Sequence, residues 1–236
     1  MKQTKHQHFD INHLPKQPGL LLFGISMNRI SNAQSAQKCF DYMESFIPKI
    51  IKPQVGLNLI YSDSLYYNSP AAAKDLKKKF ENLTHAHKFA FTKIMEKHPL
   101  YIQNSINYSS WSQMILECKD FFRCLSELKK MYTKDKDFKS LVLKDIGAAN
   151  PPEEKINFIL EEILMFYLCS KGVVRLPNDF VNEKHQWILW CYPGKPLASE
   201  VYLYQTNPFK LSNPANTYEN SYYDLTDKKL YNFTKL

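Results

Sequence analysis

At 236 residues, with 44% hydrophobic and 23% charged side chains, the chain can bury one large core and is too apolar for wholesale disorder. No apolar run approaches the ~18 residues of a membrane span, and the polar start Met1–His8 lacks the hydrophobic stretch of a secretory signal. Five cysteines without a Cys-x-x-Cys spacing argue against a disulfide framework or a metal site, so a reducing cytoplasm is expected, and the net charge of +8 favours an anionic partner.

Residues 1–17 read as a loose lead-in. Leu20-Leu-Leu-Phe-Gly-Ile-Ser26 is a short apolar run closed by a glycine, the pattern of a strand buried on both faces that enters a tight turn. Gly24 permits unusual backbone angles or a close approach. Ser26 sits where parallel-sheet proteins present working groups, at a strand's carboxyl end. It is either such a group or a cap for the next helix. The local pattern is not Gly-x-Ser-x-Gly, so no hydrolase elbow is announced.

Ser31-Asn32 can cap a helix from about Ala33 to Ile47, and Val55–Tyr61 reads as a second strand ending in Ser62-Asp63. Strand, helix and strand at this spacing form a βαβ unit with a right-handed crossover, which places Ser26 and Asp63 at one sheet edge. A long helix follows from Pro70 to about Lys97. On it Leu76, Phe80, Leu83, Phe91 and Ile94 form an apolar stripe that also contains His87. Lys74, Lys77, Lys78, His85 and Lys88 gather opposite, either as a solvated face or as a footprint for a phosphate backbone.

Tyr101–Ser105 is a candidate third strand, 109–132 and 135–146 two helices, and 151–169 another helix. Ile188–Tyr192 then reads as a strand, Val201–Tyr204 as an edge strand, and 206–236 as an irregular surface segment. The 151–169 helix is apolar on two faces, Ile156/Leu160/Ile163/Tyr167 and Phe158/Met165/Cys169, with Glu162 inside the second. A carboxylate there is either a buried ion pair or a proton-transfer group with a raised pKa. Trp187–Tyr192 ends in a tyrosine at a strand's carboxyl end. No glycine-rich phosphate loop occurs, so no nucleotide cofactor is expected.

Together Gly24-Ile25-Ser26, Phe158-Ile-Leu-Glu-Glu162 and Cys191-Tyr192-Pro193, with the basic helix between the first two, resemble the tRNA-dependent cyclodipeptide synthases. The resemblance runs from about residue 20 to 195. It implies an α/β chain with a single Rossmann-like domain over 1–236, a mainly parallel sheet flanked by helices, similar to the catalytic domain of class I aminoacyl-tRNA synthetases. It implies an aminoacyltransferase that joins residues from two aminoacyl-tRNAs into a cyclic dipeptide, through an aminoacyl-Ser26 and a dipeptidyl-Ser26 enzyme, without ATP or cofactor.

By that resemblance Glu162 binds or deprotonates the incoming ammonium, and Tyr192 supports the serine. Leu22, Gly24 and Met165 line the first aminoacyl pocket, and Lys74, Lys77, Lys78 and Lys88 hold tRNA phosphates. Phe158 departs from the family, which has a tyrosine there. Arg29 and Pro193 place the chain in the branch with proline after the strand tyrosine. A monomer with no protein or membrane partner is the expectation. The competing readings are a non-catalytic RNA-binding protein and a serine hydrolase or acyltransferase. The last would need a histidine beside Ser26.

Overall fold

The structure is a computed structural model that describes residues 19–44, 55–63, 70–98, 106–174 and 186–233, with the backbone alone at 55 and 70–74. Thirteen elements alternate through these residues: β1 (Gly19–Ile25), α1 (Ala36–Glu44), β2 (Val55–Tyr61), α2 (Pro70–Glu96), β3 (Ile106–Ser110), α3 (Trp111–Glu117), α4 (Phe121–Lys134), α5 (Lys136–Ile146), α6 (Glu153–Ser170), β4 (Trp187–Tyr192), α7 (Ala198–Thr206), β5 (Ser221–Asp224) and β6 (Lys229–Asn232). The strands form one sheet in the order β3-β2-β1-β4-β5-β6. Every neighbouring pair is parallel except β5 with β6.

The apolar run of β1 explains its central place. Leu20 and Leu22 point to one side, against α3 to α7, while Leu21, Phe23 and Ile25 point to the other, against α1 and α2. Both sets are essentially closed to solvent, and each such side chain contributes roughly 1.5–3 kcal/mol of burial. The chain runs outward from β1 through β2 to β3, then returns through four helices to β4 on β1's other side. The strand order therefore reverses between β1 and β4, and in open parallel sheets the crevice at that point takes the ligand.

Most expected elements stand within a few residues of their predicted limits, and the differences have local causes. Residues 27–34 form turns, so the first helix starts at Ala36 rather than at Ala33. The third strand is Ile106–Ser110; the predicted Tyr101–Ser105 lies outside the described residues, as do the 1–17 lead-in and the predicted helix end beyond Glu44. The expected 109–132 helix is divided at Cys118–Asp120, where Cys118 leaves helical geometry with φ −91° and ψ 100°.

Two corrections concern the C-terminal third. The apparent strand Val201–Tyr204 is helix α7, which buries Ser199, Glu200, Leu203 and Tyr204 at helical spacing. Its first turn is capped from α5: Asp145 accepts the amides of Ala198 and Ser199 at 3.0 and 2.8 Å and the Ser199 hydroxyl at 2.6 Å. The segment expected to be irregular from 206 onward holds β5 and β6. They extend the sheet because β4 offers a free edge to Tyr222–Asp224.

Candidate active site

Ser26 and Tyr192 lie at the carboxyl ends of β1 and β4, the two strands that flank the switch point. The Tyr192 ring lies against β1 because Gly24 has no side chain. A Cβ there would stand 3.1 Å from Trp190 Cζ2 and 3.1 Å from Tyr192 Cδ2. Close approach, rather than unusual backbone angles, is thus what the glycine supplies. Ser26 is no helix cap, since its carbonyl accepts the amide of Arg29 in a turn and α1 begins only at Ala36. Its edge partner Asp63 is nearby in the sheet as expected, with Ser62 N–H donating to Ile25 O at 3.0 Å. The Asp63 carboxylate is taken by the amide and hydroxyl of Ser112, at 3.0 and 2.6 Å.

The backbone of Tyr192 is held by the C-terminal hairpin. Leu225 N–H donates to Tyr192 O at 3.0 Å, Asp224 accepts the amide of Gly194 at 3.0 Å, and Tyr222 donates its hydroxyl to Gly194 O at 2.9 Å. The ring of Tyr192 packs near Phe166 of α6 and carries the Arg29 guanidinium over its face, 5.9 Å from the centroid.

Glu162 projects from α6 one turn before Phe166. Its side chain keeps some accessible surface, yet surrounding protein desolvates the carboxylate and pushes its pKa up to about 7; the Arg29 charge pulls it back and Asp145 adds to the rise. Arg29 thus lies over Tyr192 and is near enough for its charge to act on Glu162. Sequence reasoning used Arg29 only as a marker of a family branch. Phe158 lies one turn before Glu162, half-buried against the same core. Leu22 and Met165 are core residues of that cluster, 1% and 0% exposed.

On α7 lies Glu200, near enough for the Glu162 charge to act on it, which the sequence reading missed because it belongs to a helix read as a strand. It is wholly buried, and neither carboxylate oxygen has a hydrogen-bond partner within ordinary distance. Desolvation, reinforced by the Glu162 charge, holds its pKa well above the usual carboxylate range.

On α2, Lys77, Lys78, Lys79, His85 and Lys93 are exposed. Lys88 lies on nearly the same helical face as Lys77 but differs in burial. It is half-buried over the rings of Tyr61 and Tyr108, at 5.4 and 5.5 Å, where desolvation lowers its pKa. The side chain of Lys74 lies outside the described residues. His87 is buried with both ring nitrogens engaged, by the Tyr61 hydroxyl at 2.9 Å and by Gln34 O at 3.0 Å. It is a satisfied core histidine. Among the described residues no group of three or more metal-ligating side chains occurs, and no helix is long and apolar enough to cross a membrane. Two surface grooves lie away from Ser26, along α4 at Phe122–Thr133 and along α5 at Lys136–Ala149.

No protein-family model matches the sequence, and no curated protein resembles it significantly in sequence. Solved structures do match. A cyclodipeptide synthase from Candidatus Glomeribacter gigasporarum, solved bound to Phe-tRNAPhe, is 14% identical with a TM-score of 0.53, covering 85% of this chain and 87% of its own. A CDPS (cyclodipeptide synthase) from Staphylococcus haemolyticus gives 13% and 0.53 over 84% and 87%. A Mycobacterium tuberculosis protein, whose structure related cyclodipeptide synthetases to type I tRNA synthetases, gives 16% and 0.50 over 78% of each chain. At this level of identity the likeness is one of architecture: the chain has the fold of the cyclodipeptide synthases, which is related to that of the class I tRNA synthetases.

Proposed function

We propose that the chain, as one domain, is a tRNA-dependent cyclodipeptide synthase of the branch marked by Arg29 and Pro193. The observation that supports this reading is Arg29, in the turn that follows Ser26 at the carboxyl edge of a Rossmann-like sheet: its guanidinium lies over the Tyr192 ring and its charge acts on the Glu162 carboxyl, whose pKa is raised to about 7. The Phe-tRNA held by a structural neighbour and the exposed cations Lys77 and Lys78 support an aminoacyl-tRNA as substrate.

In this mechanism Ser26 Oγ attacks the ester carbonyl of the first aminoacyl-tRNA, and the tRNA leaves as its 3′-terminal alcohol, taking up a proton. Tyr192 supports the serine by hydrogen bonding. The ester to tRNA is already activated, so no ATP is consumed. For the dipeptide to remain on Ser26, the amine of the Ser26-bound residue attacks the ester of the second aminoacyl-tRNA, and that tRNA departs. Glu162 takes the proton from the attacking ammonium, a task suited to a group titrating near pH 7. The free amine of the dipeptidyl enzyme then attacks the Ser26 ester, closing the ring and freeing the hydroxyl.

Phe158 offers no hydroxyl to the substrate amine, which leaves Glu162 as the polar contact α6 supplies there. Leu22, Gly24 and Met165 are assigned to the first aminoacyl pocket by the family resemblance, and their apolar character favours an apolar or mid-sized first residue; Leu22 and Met165 are closed to solvent and would shape that pocket from behind its lining. Lys74, Lys77, Lys78 and Lys88 are assigned to tRNA phosphates, with Lys77 and Lys78 the more exposed cations and Lys88 half-buried over two rings. The hydrolase alternative gains no support from His87, whose two ring nitrogens are both occupied.

The test is mass spectrometry of medium from cells expressing the chain beside a Ser26→Ala control. Cyclic dipeptides present with the wild type and absent with Ser26→Ala support the reading and name the residues joined. Their absence from both cultures overturns it in favour of RNA binding without chemistry.

A further inference from the structure

β1 is paired on both sides only as far as Phe23. On the β2 side the ladder continues to Ile25, whose carbonyl accepts Ser62 N–H. Because successive peptide groups of a strand alternate in direction, Gly24 O and Ser26 N–H point the other way, toward β4. The β4 register ends at Phe23↔Cys191. If it ran one pair further, the donor to Gly24 O would be residue 193, and Pro193 has no N–H.

Gln34 closes this gap. Its Nε2 donates to Gly24 O at 2.8 Å, and its Oε1 accepts Ser26 N–H at 2.8 Å. One amide thus makes the two bonds that a neighbouring strand would make. Gln34 is 1% exposed although it sits in a loop of turns. Its own backbone is pinned three ways: its N–H donates to Arg29 O at 2.8 Å, and its carbonyl accepts from Cys39 Sγ at 3.3 Å and His87 Nε2 at 3.0 Å. A carbonyl cannot donate, so His87 Nε2 carries the proton and the Tyr61 hydroxyl donates to Nδ1 at 2.9 Å.

We infer that Gln34, locked by His87 of the cation-bearing helix, is a positioning residue for Ser26, acting as a surrogate strand that fixes the nucleophile's backbone where Pro193 ends the sheet. The inference rests on the synthase reading, within which Ser26 is acylated. Because the Ser26 amide is committed to Gln34, it is not available to stabilise the oxyanion. Gln34 touches the backbone of the nucleophile and not the substrate, so its loss acts on the acylation rate and leaves tRNA docking untouched.

The test compares Gln34→Leu, which removes both bonds, with Gln34→Glu, which keeps an acceptor and loses the donor unless protonated. Single-turnover transfer of a radiolabelled aminoacyl group from aminoacyl-tRNA to the protein gives the acylation rate and its dependence on tRNA concentration. A misplacement on the order of 1 Å costs up to about 100-fold. Gln34→Leu should therefore acylate about 10- to 100-fold more slowly, at an unchanged half-saturating tRNA concentration. The ratio of Gln34→Glu to wild-type rates should rise as pH falls, as the carboxyl regains a donor for Gly24 O. The titratable and charged groups around position 34 are Arg29, whose carbonyl accepts the Gln34 N–H and whose guanidinium lies over Tyr192, Cys39 from α1, His87 from α2, Tyr61 behind it from β2, and Tyr192 from β4 beside Gly24; burial lowers the pKa of His87 and raises those of Cys39 and Tyr61.

A Gln34→Leu enzyme that acylates at the wild-type rate, or a Gln34→Glu ratio flat with pH, overturns the inference. Amide hydrogen exchange gives a readout independent of activity: the Ser26 amide should be protected in the wild type and lose protection in Gln34→Leu, and equal exchange in both overturns the inference. Absence of label on wild-type protein overturns the synthase reading instead and leaves the exchange result to decide the role of Gln34.

Discussion

Replacing Glu162 by Gln removes an ionisable group from a place where the fold opposes its charge, so one substitution can be read in stability and in catalysis. The carboxyl's pKa is pushed from 4.5 to about 7, chiefly by desolvation. At about 1.36 kcal/mol per unit this is a cost of roughly 3 kcal/mol for the ionised form, and screening at the accessible part of the side chain reduces it to about 1–3 kcal/mol. Below the unfolded pKa both states are protonated and nothing is lost. Between that value and about 7 the folded state retains a proton the unfolded chain has released, so stability falls as pH rises; above 7 the full cost is present. Glu162→Gln should match the wild type near pH 4 and exceed it at pH 8, by a Tm difference of roughly 2–10 °C for a chain of this size.

In the proposed reaction the same ionisation is required. About a tenth of the wild type is ionised at pH 6 and about nine-tenths at pH 8, so conversion of acyl-enzyme to dipeptidyl-enzyme should rise about ninefold across that range. Mixing preformed aminoacyl-Ser26 protein with a second aminoacyl-tRNA isolates this step. Glu162→Gln should form the acyl-enzyme, convert it slowly, and lose the inflection. A Tm difference that does not change with pH refutes the electrostatic argument. Dipeptide formation in Glu162→Gln at the wild-type rate refutes the role.

Gly24→Ala places a methyl group 3.1 Å from both Trp190 and Tyr192, an overpacking cost of about 1–3 kcal/mol, and displaces the Tyr192 ring; a denaturant melt and the acylation rate should both fall, and an unchanged rate would detach Tyr192 from the chemistry. Glu200→Gln replaces by a neutral isostere a buried carboxyl that no group approaches within ordinary hydrogen-bond distance, with Leu197 N–H and the Tyr204 hydroxyl as its more distant polar neighbours. Its raised pKa predicts a stabilisation that is absent at pH 4 and grows toward pH 8, measured by thermal unfolding, whereas a lower Tm at pH 8 would mean the acid has a partner that glutamine cannot replace. Lys77→Ala with Lys78→Ala should weaken tRNA binding and flatten the plot of log affinity against log salt by about 2, as titrations at several salt concentrations would reveal; an unaltered slope places the phosphate contacts elsewhere.

The apolar runs of β1, β2 and β4 and the stripes of α2 and α6 are strong local signals, and they were legible because burial on one or two faces writes its period directly into sequence. The same signals placed Ser26, Glu162 and Tyr192 on their elements, and the order of their short motifs led to the fold. What stayed hidden was decided by partners distant in the chain. Val-Tyr-Leu-Tyr at 201–204 alternates like a strand, yet α7 forms there because Asp145 caps its first turn. Residues 221–232 lack a periodic signature, yet they become strands because β4 presents unpaired backbone groups to them.

Lys88 looked equivalent to Lys77 on the helix, and only the neighbouring rings of Tyr61 and Tyr108 turn it inward. Gln34 and Glu200 carried no signal at all, because a polar side chain in a loop or first turn reads as surface until the fold encloses it. The sequence determined which faces must be buried and which strand ends share one edge of the sheet. The tertiary structure alone decided which polar groups are sealed beneath that edge, because desolvation and hydrogen-bond satisfaction depend on neighbours that no local pattern specifies.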